Sequence, residues 1–130
     1  METNPVLGML GLARRAGRLA CGEEAVSEMV ETGKCRAIFI AQDAGDSTRR
    51  KVMRHDARVP VLTLPCAREI LGNAIGVSGC AVCAVNDMGM AGSLAAKLQD
   101  TSKANQEAAV RVADKKARID SRKGKKKKAK

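Results

Sequence analysis

The sequence predicts an α/β protein: a three-layer α/β/α sandwich around a mixed sheet of about four strands. Two observations carry this. Short β-branched apolar runs, "RAIFIAQDA", "VPVLTL" and "GCAVCAV", alternate with segments whose apolar residues recur at helical spacing. Glycine or charge bounds each of them, as it bounds buried strands and helix ends. A third observation sets the scale, because 130 residues hold one well-buried domain and nothing marks a second core.

The elements follow in order. In "NPVLGMLGLARRAG", Asn4 is a candidate N-cap and Pro5 a first helical residue, with Val6, Leu7, Met9 and Leu10 to one side and an end near Gly17. "RLA" is a short strand-like link to Gly22. Val26, Met29 and Val30 then give a helix from Glu23 to Thr32, stopped by Gly33. "RAIFIAQDA" is a buried strand ending at Gln42 and Asp43. "GDSTRRKVMRHDA" reads as a polar-faced helix capped by Asp46 or Ser47, with Val52 and Met53 turned inward. "VPVLTL" is a strand, "CAREILGNAIG" a helix ending at Gly76, "GCAVCAV" a strand and "MAGSLAAKLQD" a closing helix.

Composition limits the chemistry. Phe39 is the only aromatic residue, so the core is aliphatic and the stacking platforms of single-strand binders are missing. Of the formal +10, residues 101–130 carry +9 (12 Lys and Arg against three acids) and residues 1–100 carry +1 (12 against 11). This places a domain at residues 1–100 and a basic tail at 101–130, a frayed helix passing into a disordered Lys-rich end. Such a tail favours a polyanion but does not say what the folded body recognises.

Five cysteines, no signal-peptide pattern and no long apolar run point to reduced thiols in the cytoplasm and to no membrane partner. Cys80 and Cys83 have CxxC spacing. There is no second CxxC, and residues three apart in a strand face opposite ways, so no metal, cofactor or redox role is expected. No Ser/His/Asp or Cys/His set and no P-loop glycine pattern is visible, and the expectation is a protein that is not an enzyme.

The order of signals resembles the ribosomal protein L7Ae family, most closely its bacterial YlxQ-like branch. The resemblance covers roughly residues 5–100. Its residues are Gly22 and Gly33 bounding the second helix, "IFIAQD" at a strand end, "LGNAIG" from Leu71 to Gly76, and a small-residue strand after it. It implies a ribonucleoprotein component: an RNA-binding, non-catalytic α/β/α protein of the kind that reads kink-turns or other structured or ribosomal RNA, with ribosome or translation-factor association. In that family the second helix opens with a Gly-x-Asn-Glu-x-x-Lys pattern. Gly22 matches, but Glu24 stands in place of Asn, Ala25 of Glu and Glu28 of Lys. Ionised Glu only accepts hydrogen bonds, and Glu28 puts an anion where a cation would attract phosphate, so kink-turn reading by this helix is in question.

The resemblance carries a site across residue by residue: Gly22, Glu23 and Glu24 at the helix start, Asp43 at a strand end, Arg68 before "LG", and Gly76, Val77, Ser78 and Gly79 in the loop that covers flipped bases. Arg14, Arg15 and Arg18 correspond to first-helix basic residues, and Lys34 adds a phosphate contact. Plainer readings stand beside these. Glu23 and Glu24 also complement a helix dipole, Asp43 also suits a helix cap, and "TRRKVMRH" is as much a solvated helix face as a phosphate stripe. Two other functions compete: an interaction scaffold whose tail alone touches nucleic acid, and a cysteine-based redox protein.

Overall fold

The computed structural model describes residues 5–128, with side chains to Arg122. The expected N-cap Asn4 lies outside the described residues. The order is α1 (Pro5–Arg15), β1 (Leu19–Cys21), α2 (Glu23–Glu31), β2 (Ala37–Ala41), α3 (Asp46–Met53), β3 (Val61–Leu64), α4 (Arg68–Ile75), β4 (Val82–Val85), α5 (Met88–Leu98) and α6 (Lys103–Lys128).

One mixed sheet runs β1-β4-β2-β3. β2 is parallel to β3 and antiparallel to β4, which is antiparallel to β1. Alternation of side chains along each strand splits the core in two. Phe39, Ala37, Ala41, Leu62, Leu64, Cys83 and Val85 face α1, α4, α5 and α6. Ile38, Ile40, Val61, Val82 and Ala84 face α2 and α3. β2 and β4 are buried on both sides, and for that reason their sequences are continuous apolar runs.

The register defines two poles. Cys21 pairs with Cys83, and Ile40 with Val82, so Gly22, Gln42 and Gly79 gather at one pole together with Arg68, which follows the end of β3. Leu19 and Ala37 both pair with Val85, so Arg18, Arg36, Arg58 and Asn86 gather at the other. The five residues of β2 separate the poles by about 13 Å at ~3.3 Å per step.

Several local expectations are corrected. Gly45, not Asp46 or Ser47, is the N-cap of α3, and no side chain bonds there. Met53 is 44% exposed, while Val52 is buried. Cys80 precedes β4 instead of lying in it, so its turn places it with Cys83 on the same side of the sheet.

The largest difference is α6. Beyond the boundary expected at residue 100, Ala108, Ala109 and Val112 are buried against the α5 side and Asn105 is 1% exposed. The Asn105 amide accepts from Thr63 N–H at 2.8 Å and donates to Thr63 C=O at 2.8 Å and to Thr101 Oγ1 at 2.6 Å. It thereby stands in for the missing neighbour of β3, an edge strand. The segment expected as a frayed helix passing into a Lys-rich end has helical backbone from Lys103 to Lys128.

Candidate nucleic-acid interface

β1 delivers the chain to Gly22, whose φ of 92° and ψ of 160° are conformations that glycine adopts without strain. Its N–H donates to Val82 C=O at 2.9 Å, so α2 starts flush with the end of β4. No side chain caps this helix start, and its first-turn N–H groups face outward with their partial positive charge. Glu23 is turned aside toward α3. It accepts from Thr48 Oγ1 at 2.6 Å and lies 3.4 Å from Lys51 Nζ. The Thr48 hydroxyl above all, with Lys51 behind it, holds the Glu23 carboxyl below the usual range. Glu24 and Glu28 are exposed on the groove between α2 and α3, along with Glu31, Lys51 and Arg54, and His55 lines it half-buried. Across it Ser27 Oγ meets His55 Nε2 at 3.1 Å.

Opposite Gly22 lies the return loop of α4. The helix ends at Gly76 in the left-handed region (φ 75°), and Gly79 has φ 67°. The loop folds back onto Gly72, where a β-carbon would lie 2.5 Å from Val77 C=O and 3.1 Å from Gly79 N, so only glycine allows this approach. At the other end of α4, Arg68 N–H donates to Asp43 Oδ1 at 2.7 Å. Asp43 therefore caps α4 from the end of the neighbouring strand β2, since Ala67 at the N-cap has no side-chain acceptor. Arg68, Gly22, Glu23, Thr48 and Val77–Val82 line one open cleft of about 330 Å³.

The structure thus divides the sequence-derived set. Gly22, Glu23, Arg68, Val77, Ser78 and Gly79 share the cleft, with Gly76 and Asp43 supporting it, while Glu24 lines the neighbouring groove between α2 and α3. Arg14 belongs to its flank: Nη1 donates to Ile75 C=O at 2.7 Å, tying α1 to the end of α4 beside Cys21. Arg15 is exposed at the end of α1. Arg18 and Lys34 lie at the far pole, where Arg18 is 3.9 Å from Asp87. Thr48 and Gly72 were not in the set. Gly72 has a sequence signal, since it stands within "LGNAIG"; Thr48 has none beyond opening the "TRRKVMRH" stripe.

The cysteines are free thiols. Burial pushes Cys21, Cys66 and Cys83 up, and Cys35 to about 12. Thiols held protonated are poor nucleophiles and poor metal ligands. Among the described residues no group of three or more His, Cys, Asp or Glu is placed to hold a metal, and no helix is long and apolar enough to cross a membrane.

Comparisons with known proteins agree with this architecture. Residues 5–95 match the model of the "Ribosomal protein L7Ae/L30e/S12e/Gadd45 family". The chain is 32% identical over 88 residues to "RNA-binding protein YlxQ" of Bacillus subtilis (strain 168), covering 66% of this chain and 87% of that one. It is 39% identical over 46 residues to a protein of the same name from Enterococcus faecium, 35% of this chain and 45% of that one. A solved structure of a protein with unknown function from Bacillus halodurans C superposes with a TM-score of 0.70 at 34% identity, covering 75% of this chain and 100% of that one. The Giardia lamblia 15.5kD RNA binding protein shares the fold, with a TM-score of 0.56 at 18% identity over 88% of this chain and 92% of that one. With the family model spanning α1 to α5 and a curated relative covered over most of its length, the chain belongs to the ribosomal protein L7Ae/L30e/S12e/Gadd45 family.

Proposed function

We propose that this protein is a non-catalytic RNA-binding protein of the cytoplasm that reads structured RNA, ribosomal RNA being the first candidate, at the Gly22–Arg68–Gly79 cleft. The observation that carries this is the convergence of an uncapped, glycine-led helix start, Arg68 and a glycine-shaped return loop on one open cleft. Each part has a role in binding RNA. The α2 N–H groups offer donors to phosphate or base edges. Arg68 supplies a fork for phosphate, and Val77–Gly79 lets backbone approach a base closely. The names of the Bacillus subtilis and Enterococcus faecium relatives support RNA as the partner. Glu24, Ala25 and Glu28 stand where kink-turn readers carry Asn, Glu and Lys, so the target differs from a standard kink-turn. Basic residues of α6 add phosphate contacts, and ribosome or translation-factor association follows from such a target.

The test is crosslinking of the full chain to RNA in cells with sequencing of the bound segments, alongside Arg68→Glu and Gly22→Ala variants. Crosslinks concentrated on a few structured segments, and lost in both variants, are expected. An absence of RNA crosslinks, or crosslinks unchanged in both variants, would reject the cleft as the binding site.

A further inference from the structure

The cleft does not account for the largest block of positive charge, which the fold puts elsewhere. α6 starts near the middle of β3, where Asn105 bonds Thr63, and runs toward the other pole, where Arg111 bonds Asp56 just ahead of β3. Helical geometry places Arg111, Lys115, Arg118 and Arg122 in one stripe, with Asp114 at its edge, three residues after Arg111 and four before Arg118. Lys115 comes close enough to Cys35 to act on its thiol, as does Arg36. Cys35 in turn packs with Val59 in one cluster, which brings Arg58 to the same surface. Lys34, Arg58, Arg118 and Arg122 are exposed.

The acids that share this pole are largely occupied. Asp56 is paired with Arg111, while Asp87 caps α5 through Met90 N–H and faces Arg18. Glu31 at the end of α2 and Asp114 on α6 are exposed. A broad cationic surface therefore stands at the pole away from Gly22, separated from it by the length of the sheet.

We propose that the surface formed by Lys34, Arg36, Arg58, Lys115, Arg118 and Arg122 is a second RNA-binding face that takes the phosphate backbone of an A-form duplex, so that one protomer holds two RNA segments at opposite poles. A duplex fits better than a single strand because single-strand grooves depend on aromatic stacking. The only Phe, Tyr or Trp ring, Phe39, is wholly buried, and His55 lies in the α2–α3 groove away from this surface. Recognition by exposed cations alone matches a target read by shape and phosphate. This rests on the RNA-binding reading of the protein but not on the identity of the RNA in the cleft.

The test captures full-length protein on immobilised total ribosomal RNA and measures recruitment of a labelled plain RNA duplex of about 16 base pairs, the span one double-strand-reading module covers. The variants are Lys34→Glu/Arg118→Glu/Arg122→Glu and, at the cleft, Arg68→Glu, each checked by far-UV circular dichroism for native folding. Wild type is expected to recruit the duplex. The triple variant should stay on ribosomal RNA yet lose at least tenfold in duplex affinity, with the slope of log K against log salt reduced by about 2 to 3. Arg68→Glu should keep its affinity for the free duplex within twofold. Duplex recruitment by the triple variant at wild-type strength overturns the second face and leaves the cleft reading intact. If the triple variant leaves ribosomal RNA altogether while Arg68→Glu stays bound, the protein has one face, and both the two-segment proposal and the cleft fall.

Discussion

Replacing Asn105 with Ala isolates the bond between α6 and the open edge of the sheet. The side chain is 1% exposed and satisfies both polar groups of Thr63, with a further bond to Thr101. Truncation leaves Thr63 N–H and C=O without protein partners. A buried group so stranded costs about 1–3 kcal/mol. Thr63 is only half-buried, and a shallow cavity of about 130 Å³ beside it admits water. The lower end of the range therefore applies to each group, and the total loss expected is about 2–3 kcal/mol. Asn105→Asp keeps the acceptor for Thr63 N–H but sets a carboxylate against Thr63 C=O, and should cost at least as much. The assay is urea unfolding followed by far-UV circular dichroism, since a chain without Trp or Tyr has no useful fluorescence. A loss below about 0.5 kcal/mol in both variants would refute the claim that this amide closes the edge of the sheet.

Other outcomes follow from the same structure. A chain of residues 1–100 loses the burial of Ala108, Ala109 and Val112 as well as the Asn105 bonds, together about 5 kcal/mol or more of a typical 5–15, and is expected to melt without cooperativity; a sharp two-state melt would contradict the docking of α6. Gly72→Ala drives a methyl into Val77 C=O, so it should destabilise by about 1–3 kcal/mol and weaken RNA binding through the displaced loop; unchanged crosslinking would uncouple that loop from the site. Glu23 has a depressed folded-state pKa, so its contribution is present above about 4.5 and is lost as pH falls through the folded value. Wild type should therefore lose more stability than Glu23→Gln or Thr48→Val between about pH 5 and 3, and parallel curves would contradict the Glu23–Thr48 link. Restoring Glu24→Asn, Ala25→Glu and Glu28→Lys together should raise kink-turn affinity over that for a straight duplex by about 1–3 kcal/mol, by analogy with single base contacts in DNA; equal gains for both would show charge attraction alone.

The strands and helices that periodicity can detect were legible because their burial is written in large aliphatic residues: β2 and β4 as unbroken apolar runs, α2 as Val26, Met29 and Val30. The docking of α6 was not. Its buried face consists of an amide, two alanines and a valine scattered among charges, and no hydropathy pattern distinguishes these from a solvated helix. The grouping of Gly22, Arg68 and Gly76–Gly79 was readable only from the order of motifs. Spacing says nothing about which end of a sheet a residue reaches, so Arg18 and Lys34 were grouped with a cleft at the opposite pole. Asp43 shows a further limit, because its acceptor role is set by a helix that begins 25 residues later.

The height of the sheet has an electrical consequence. At physiological ionic strength the field of an exposed charge decays over about 8 Å, less than the ~13 Å that β2 alone puts between the two ends. The strongly positive formal charge of the chain therefore does not act as one field. On the two-face proposal, the α6 cations would draw in a polyanion at their own end, while the cleft, with Glu23 in its lining, would meet its ligand under little of that attraction and select by shape. Only in dilute salt, where the screening length approaches 30 Å, do the two ends sense each other. Selectivity measured in such buffers would then mix the attraction of one end with the discrimination of the other.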